Sequence, residues 1–123
     1  MTNTKPSIPA YKRGDIVLVL FPNSDLQTAK RRPALIVQAD NLQTDLSQVI
    51  VAMITSKQFR ANHPSRVLIS LTEPAGKKSG LLTDSVIMTD NLATIVEIAI
   101  NKVIGHIPME GVDEAIQHTL GLG

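Results

Sequence analysis

Apolar positions come in short runs separated by polar, turn-forming stretches, and only near the C-terminus does their spacing become helical. "GDIVLVLF" is rich in β-branched residues and predicts a strand over Asp15–Phe21, opened by Gly14. After the polar stretch "PNSDLQTAKRR", "PALIVQ" predicts a second strand over Pro33–Gln38, where proline is acceptable as the first strand residue. "QVIVAMIT" predicts a third over Gln48–Thr55, apolar on both faces and therefore central. Further strands are expected at "RVLISL", around Ser85–Thr89 and around Ala93–Ile98, with "TEPAGKKSG" as a turn-rich connection. In the tail, Val112, Ile116, Thr119 and Leu120 share one helical face, and Gly121 supplies a stop, so a closing helix is expected over Met109–Leu120. The pattern implies a mainly β fold with a C-terminal helix: a small barrel or half-barrel of strongly bent antiparallel strands.

Composition narrows this picture. A chain of 123 residues with 43% apolar content suits one domain with a real core. The expected organisation is an arm over residues 1–11 and a single domain over residues 12–123. Aromatics are only 2%, so the core must be aliphatic, and an aromatic-platform RNA binder is disfavoured. There are no cysteines, which excludes disulfides, Cys-based zinc sites and thiol chemistry. The N-terminus lacks a signal-peptide core, and no apolar run reaches membrane-span length, so a cytoplasmic protein without membrane contact is expected.

Net charge is only +1, so any anion site must be local. The prominent local feature is "AKRRPALIVQ": Lys30, Arg31 and Arg32 stand before a proline and an apolar run. A residue before proline is biased to extended backbone, which gives Arg32 a fixed mount. A planar guanidinium grips phosphate oxygens in pairs. Lys30 and Arg31 suit general phosphate attraction. Phe59, in a basic loop, offers a ring for base stacking, whereas Phe21 reads as core. His63, His106 and His118 are scattered and read as structural or surface residues. The carboxylates show no metal-ligand spacing, so neither metal nor cofactor is expected.

"RGDIVLV", "RPALIV", the strand ending "ITS", the late "DSVIMTDNLATI" and the final "LGL" together resemble the MazF/PemK family, toxins of type II toxin–antitoxin modules. The resemblance runs from about Lys12 to Leu122. It implies an SH3-like barrel of the MazF/CcdB-like toxin type, usually a homodimer, inhibited by a small cognate antitoxin. It implies metal-independent cleavage of single-stranded RNA to 2′,3′-cyclic phosphate and 5′-hydroxyl ends. Arg32 matches the catalytic arginine of the "RP" motif, and Thr55 the strand-end threonine, with Ser56 beside it.

By the same resemblance, Ser24 and Gln27 fall in the base-reading loop, and Lys57, Asp90 and Asn91 are further candidate RNA contacts. Asp90 also reads as a turn residue between two strands. One branch of the family carries a further arginine where this chain has Met88, so this chain should rely on Arg32 and Thr55. Two other readings stay open. A CcdB-like gyrase poison is disfavoured by the "LGLG" end and the absence of tryptophan; a non-catalytic SH3-like binding module is disfavoured by Arg32 and Thr55 together.

Overall fold

The computed structural model describes Ile8–Pro22 and Asp25–Gly123; most of the expected N-terminal arm and Ser24 lie outside the described residues. Six strands form one antiparallel sheet: β1 (Asp15–Pro22), β2 (Ala29–Ile36), β3 (Gln48–Thr55), β4 (Arg66–Ile69), β5 (Ser85–Val96) and β6 (Ile100–His106). Their order is β4-β5-β3-β2-β1-β6. A short helix, α1 (Pro74–Lys78), joins β4 to β5, and α2 (Glu110–Leu120) closes the chain.

Alternation along the strands places apolar residues on both faces of the curled sheet. Ile16, Leu35, Ala52, Ile54 and Ile87 face one side, where Val112 of α2 covers them. Their neighbours Val17, Val19, Ala34, Ile36 and Val51 face the other, closed over by Ile95 and Ile100. Both clusters are aliphatic, as the composition required, and Phe21 packs at the edge of the second. The half-barrel with its terminal helix is the fold the hydrophobic pattern predicted. Gly121 ends α2 in the left-handed region, φ 69°, and its N–H returns to the last helical carbonyls. Among the described residues no helix is long and apolar enough to cross a membrane.

Four boundaries differ from the sequence expectation, each for a tertiary reason. β2 begins at Ala29, so Lys30, Arg31 and Arg32 lie inside a strand and Pro33 is its fifth residue. Proline is tolerated there because pairing to β3 starts only at Ala34. The two late strands expected around Ser85–Thr89 and Ala93–Ile98 are one strand, β5. It bends where Thr89, Asp90 and Asn91 have no register partner on β3, between Met88↔Met53 and Leu92↔Ala52. "PAGKK", expected as a turn, forms α1, with proline in its first turn. Finally, "INKVIGH" is strand β6, whose polar and apolar residues do not alternate cleanly because its register to β1 shifts at Ile16/Val17.

The segment after α1 lies directly on β6. A Cβ built on Gly105 would sit 2.2 Å from the Ser79 carbonyl carbon and oxygen. Only glycine permits that approach, since backbone on both sides must move to admit a methyl group. On α2, a Cβ at Gly111 meets nothing nearer than Val67 Cγ1 at 4.0 Å. Gly105→Ala should therefore destabilise by roughly 1–3 kcal/mol through overpacking, whereas Gly111→Ala should stabilise by about 0.5–1 kcal/mol. Urea unfolding of the two variants checks both signs.

Candidate functional site

β2 is hydrogen-bonded to β1 along nearly its whole length, from Ile16↔Leu35 to Pro22↔Ala29. To β3 it is paired only through Ala34↔Met53, Leu35↔Ala52 and Ile36↔Val51. Continued by two more residues, that register would set Arg32 opposite Thr55. Instead the strands part beside Pro33, which has no N–H to give the ladder, and Arg32 and Thr55 end on opposite lips of a cleft of about 570 Å³.

The cleft floor is aliphatic, formed by Leu18, Ile54, Leu81 and Ile104. Its rim carries Lys30, Arg31, Arg32, Lys57 and Lys102, five of the chain's twelve lysines and arginines. Among the described residues no aspartate, glutamate or histidine lines it. All five cations are exposed, and among the described residues none of them forms an ion pair. Arg13 and Arg66, by contrast, are bound to Asp113 and Asp90. A local concentration of uncompensated positive charge over low-dielectric walls focuses the field on an anion.

Thr55, Ser56, Thr83 and Ser85 add hydroxyls. The Lys57 N–H donates to Thr55 Oγ1 at 3.2 Å. That bond occupies an oxygen lone pair and leaves the hydroxyl hydrogen to donate into the cleft. Lys57 thus fixes the threonine's oxygen with its backbone and supplies a charge with its side chain.

The other sequence candidates are distributed unevenly. Arg32, Thr55, Lys30, Arg31, Ser56 and Lys57 converge on the cleft. Gln27 lies just beyond, in the turn that Asp25 organises by accepting the Gln27 and Thr28 N–H groups, bonds that hold the Asp25 carboxyl below the usual carboxylate range. Phe59, Asp90 and Asn91 do not line the cleft. Phe59 is 79% exposed, with the Arg60 guanidinium 5.8 Å from its ring centre. Asp90 is not in a turn but inside β5, where Arg66 donates to both its oxygens at 2.7 and 3.3 Å. The Arg66 guanidinium holds its carboxyl below the usual range, so this pair's contribution to stability is present near neutrality and fades on acidification. Met88 is buried, with its sulfur 3.8 Å from an Arg60 nitrogen.

Two histidines approach each other: the rings of His63 and His118 meet edge to face, 6.2 Å between centres. Neither lines the cleft. Among the described residues no group of three His, Asp or Glu side chains gathers as metal ligands. Sequence reading missed Lys102, Thr83 and Ser85 in the cleft. For Lys102 the missed signal was strand β6 itself.

A second hollow, about 300 Å³, lies beside the Asn41–Leu46 loop, with Asp40, Asp45 and Glu97 on its wall and, among the described residues, Lys12 as the one cation. There the Tyr11 hydroxyl donates to Glu97 Oε2 at 2.6 Å. Burial first, then the hydrogen bond to Glu97 and after it the Glu97 charge, push the Tyr11 phenol up to about 12. A raised folded value means that stability from this group is intact below the ordinary value of 10.0 and is lost as pH rises toward about 12. Tyr11 is the only tyrosine and there is no tryptophan, so phenolate absorbance isolates it. Its titration midpoint should fall near 12 in the folded protein and move part of the way back in Glu97→Gln, because burial remains.

Residues 12–120 match the model of the PemK-like, MazF-like toxins of type II toxin–antitoxin systems. The chain is 33% identical over 107 residues to Endoribonuclease MazF6 of Mycobacterium tuberculosis, covering 84% of this chain and 90% of the relative. It is 33% identical over 115 residues to Endoribonuclease EndoA of Bacillus subtilis, covering 90% and 95%. Among solved structures it resembles Mycobacterium tuberculosis toxin MazF-mt6 with a TM-score of 0.69 at 25% identity, covering 89% of this chain and 98% of that one. The fold also matches, with a TM-score of 0.68 at 23% identity and coverage of 93% and 98%, an endoribonuclease from a Mycobacterial species solved in complex with its cognate antitoxin.

Proposed function

The chain belongs to the PemK-like, MazF-like toxin family of type II toxin–antitoxin systems, as a MazF-type endoribonuclease, and we propose that its cationic cleft cuts single-stranded RNA without a metal ion. The observation that carries this reading is the placement of Arg32 and Thr55 on facing lips of a cleft with five cations and no carboxylate. Such a lining attracts a polyanion and offers no acidic ligand to a divalent ion. In the reaction proposed, the ribose 2′-oxygen forms a bond to phosphorus as the bond from phosphorus to the 5′-oxygen breaks. The products are a 2′,3′-cyclic phosphate and a 5′-hydroxyl.

Negative charge builds on the phosphoryl oxygens, where the Arg32 fork and the Thr55 hydroxyl stabilise it. Arginine does not give up its proton in a protein, and no lining side chain is a base at neutral pH. The 2′-hydroxyl proton therefore passes to water or to a phosphate oxygen, and water reprotonates the departing 5′-oxygen. Lys30, Arg31, Ser56 and Lys57 hold the strand, and Gln27 reaches bases from the turn beyond. Phe59 supplies an exposed ring to a base further along. Because Arg66 occupies Asp90, Asn91 is the freer of that pair to meet a base edge.

In the cell this activity would cut mRNA and arrest translation and growth. The protein would act in the cytoplasm as a homodimer. A small, acidic cognate antitoxin would neutralise it by covering the cleft charges.

The test is incubation with mixed single-stranded RNA in EDTA, followed by mapping of the cut ends. Cuts bearing 5′-hydroxyls are expected, with roughly a 10²–10³-fold loss of rate in Arg32→Ala, the usual cost of removing a transition-state donor. Thr55→Val should lose rate for the same reason. Intact RNA would overturn the reading, and gyrase complexes stalled by the protein would then favour a topoisomerase poison. The pH–rate profile should show no histidine inflection near about pH 6.5, because no imidazole lines the cleft.

A further inference from the structure

We propose that Lys102 holds a phosphate adjacent to the scissile one, so that the RNA backbone crosses the cleft floor from β2 to β6. The inference rests on the reading of the cleft as an RNA site. Its basis is the register of three neighbouring strands. Leu18 of β1 is the partner of Pro33 on β2 and of Lys102 on β6. Direct partners project to the same face of a sheet, so Lys102, Leu18 and Pro33 form a row across the cleft, with Arg31, two residues before Pro33, on the same face. Arg32 starts toward the opposite face and lines the cleft from the edge of β2 that β3 leaves unpaired.

Two strand spacings separate the ends of that row, about 10 Å between backbones. Arg32 at the β2 edge and Lys102 on β6 both line this cleft, and that separation suits them to two successive phosphates. Lys102 lines the cleft with apolar Leu18, its register partner, and Ile104, and a lysine on such a wall keeps its ammonium to solvent and ligand. Lys102 is exposed, and among the described residues it makes no ion pair, although eleven carboxylates are present in the chain.

A contact to a phosphate that does not react binds ground state and transition state alike. Its loss should raise KM and leave kcat in place. The experiment compares wild type, Lys102→Gln, Lys102→Arg and Arg32→Ala. It measures cleavage of an RNA oligomer and of a dinucleotide that has only the scissile phosphate. It also measures the salt dependence of binding to a 2′-deoxy oligomer, which cannot be cut.

Lys102→Gln should raise KM and Kd for the oligomers roughly tenfold, the low end for losing one charge-assisted hydrogen bond. Its salt slope should drop by about 0.7, one phosphate contact on a single strand. On the dinucleotide it should match wild type, and Lys102→Arg should restore oligomer binding.

Unchanged KM, Kd and slope in Lys102→Gln would overturn the proposal. So would an equal loss on the dinucleotide, or a fall in kcat at constant KM. If Arg32→Ala abolishes cleavage while Lys102→Gln is silent, the endoribonuclease reading stands and the phosphate contact falls. If wild type binds the 2′-deoxy oligomer through Lys102 but cuts no RNA, the contact stands and the endoribonuclease reading falls. Failure to bind any oligomer at low salt removes both.

Discussion

The backbone ladder on β2 is lopsided, and the cleft exists because of it. Against β1 the strand is satisfied to its first residue, which holds Lys30, Arg31 and Arg32 in extended geometry. Against β3 the ladder ends at Ala34. The edge beyond Pro33 would be a liability if it were flat and apolar, open to pairing with another chain. Three cations on that stretch keep it solvated and at the same time give it chemistry. Arg32 and Thr55 gain their relation from the same lapse, since the β2–β3 register, had it continued, would have made them partners.

Charge is sorted across the molecule more strongly than its total suggests. A net charge of +1 conceals a cleft with five cations and no carboxylate. It also conceals a hollow in which, among the described residues, three carboxylates outnumber one lysine. Three acidic residues elsewhere are engaged in ion pairs: Asp113 with Arg13, Asp90 with Arg66, and Asp15 with His106, Asp15 also accepting the Lys12 N–H. The pairing of Arg66 also decides the standing of Asp90, whose carboxylate would have to abandon two charge-assisted bonds before meeting a base.

Local signals located the elements that are buried and regular. The run Gln48–Thr55 reads as a central strand because both its faces meet a core, and it is one. Residues Val112 and Ile116 announce a helix because 3.6-residue spacing is set by the same face that packs on the sheet. The sequence misleads where a neighbour overrides the pattern. β5 absorbs its bulge by bending, so Thr89, Asp90 and Asn91 look like a turn and are not. β6 has a broken alternation because its ladder to β1 slips, and with it Lys102 disappeared from view. β2 extends across a proline because β1 supplies the pairing that β3 does not.

Residue order alone determined the aliphatic core and the bent β architecture with its terminal helix, because hydrophobic burial and local backbone preference act directly on side-chain type and spacing. The family was legible through the resemblance of its motifs, and that resemblance is what singled out Arg32 and Thr55 as candidates. Only the tertiary structure decided that Arg32 and Thr55 face each other across an open cleft. Only it brought in Lys102 from a strand about seventy residues away along the chain, removed Phe59 and Asp90 to other surfaces, and paired Tyr11 with Glu97. These outcomes depend on where a ladder stops or slips. That is set by hydrogen-bond partners on other strands, and no local pattern of residues contains it.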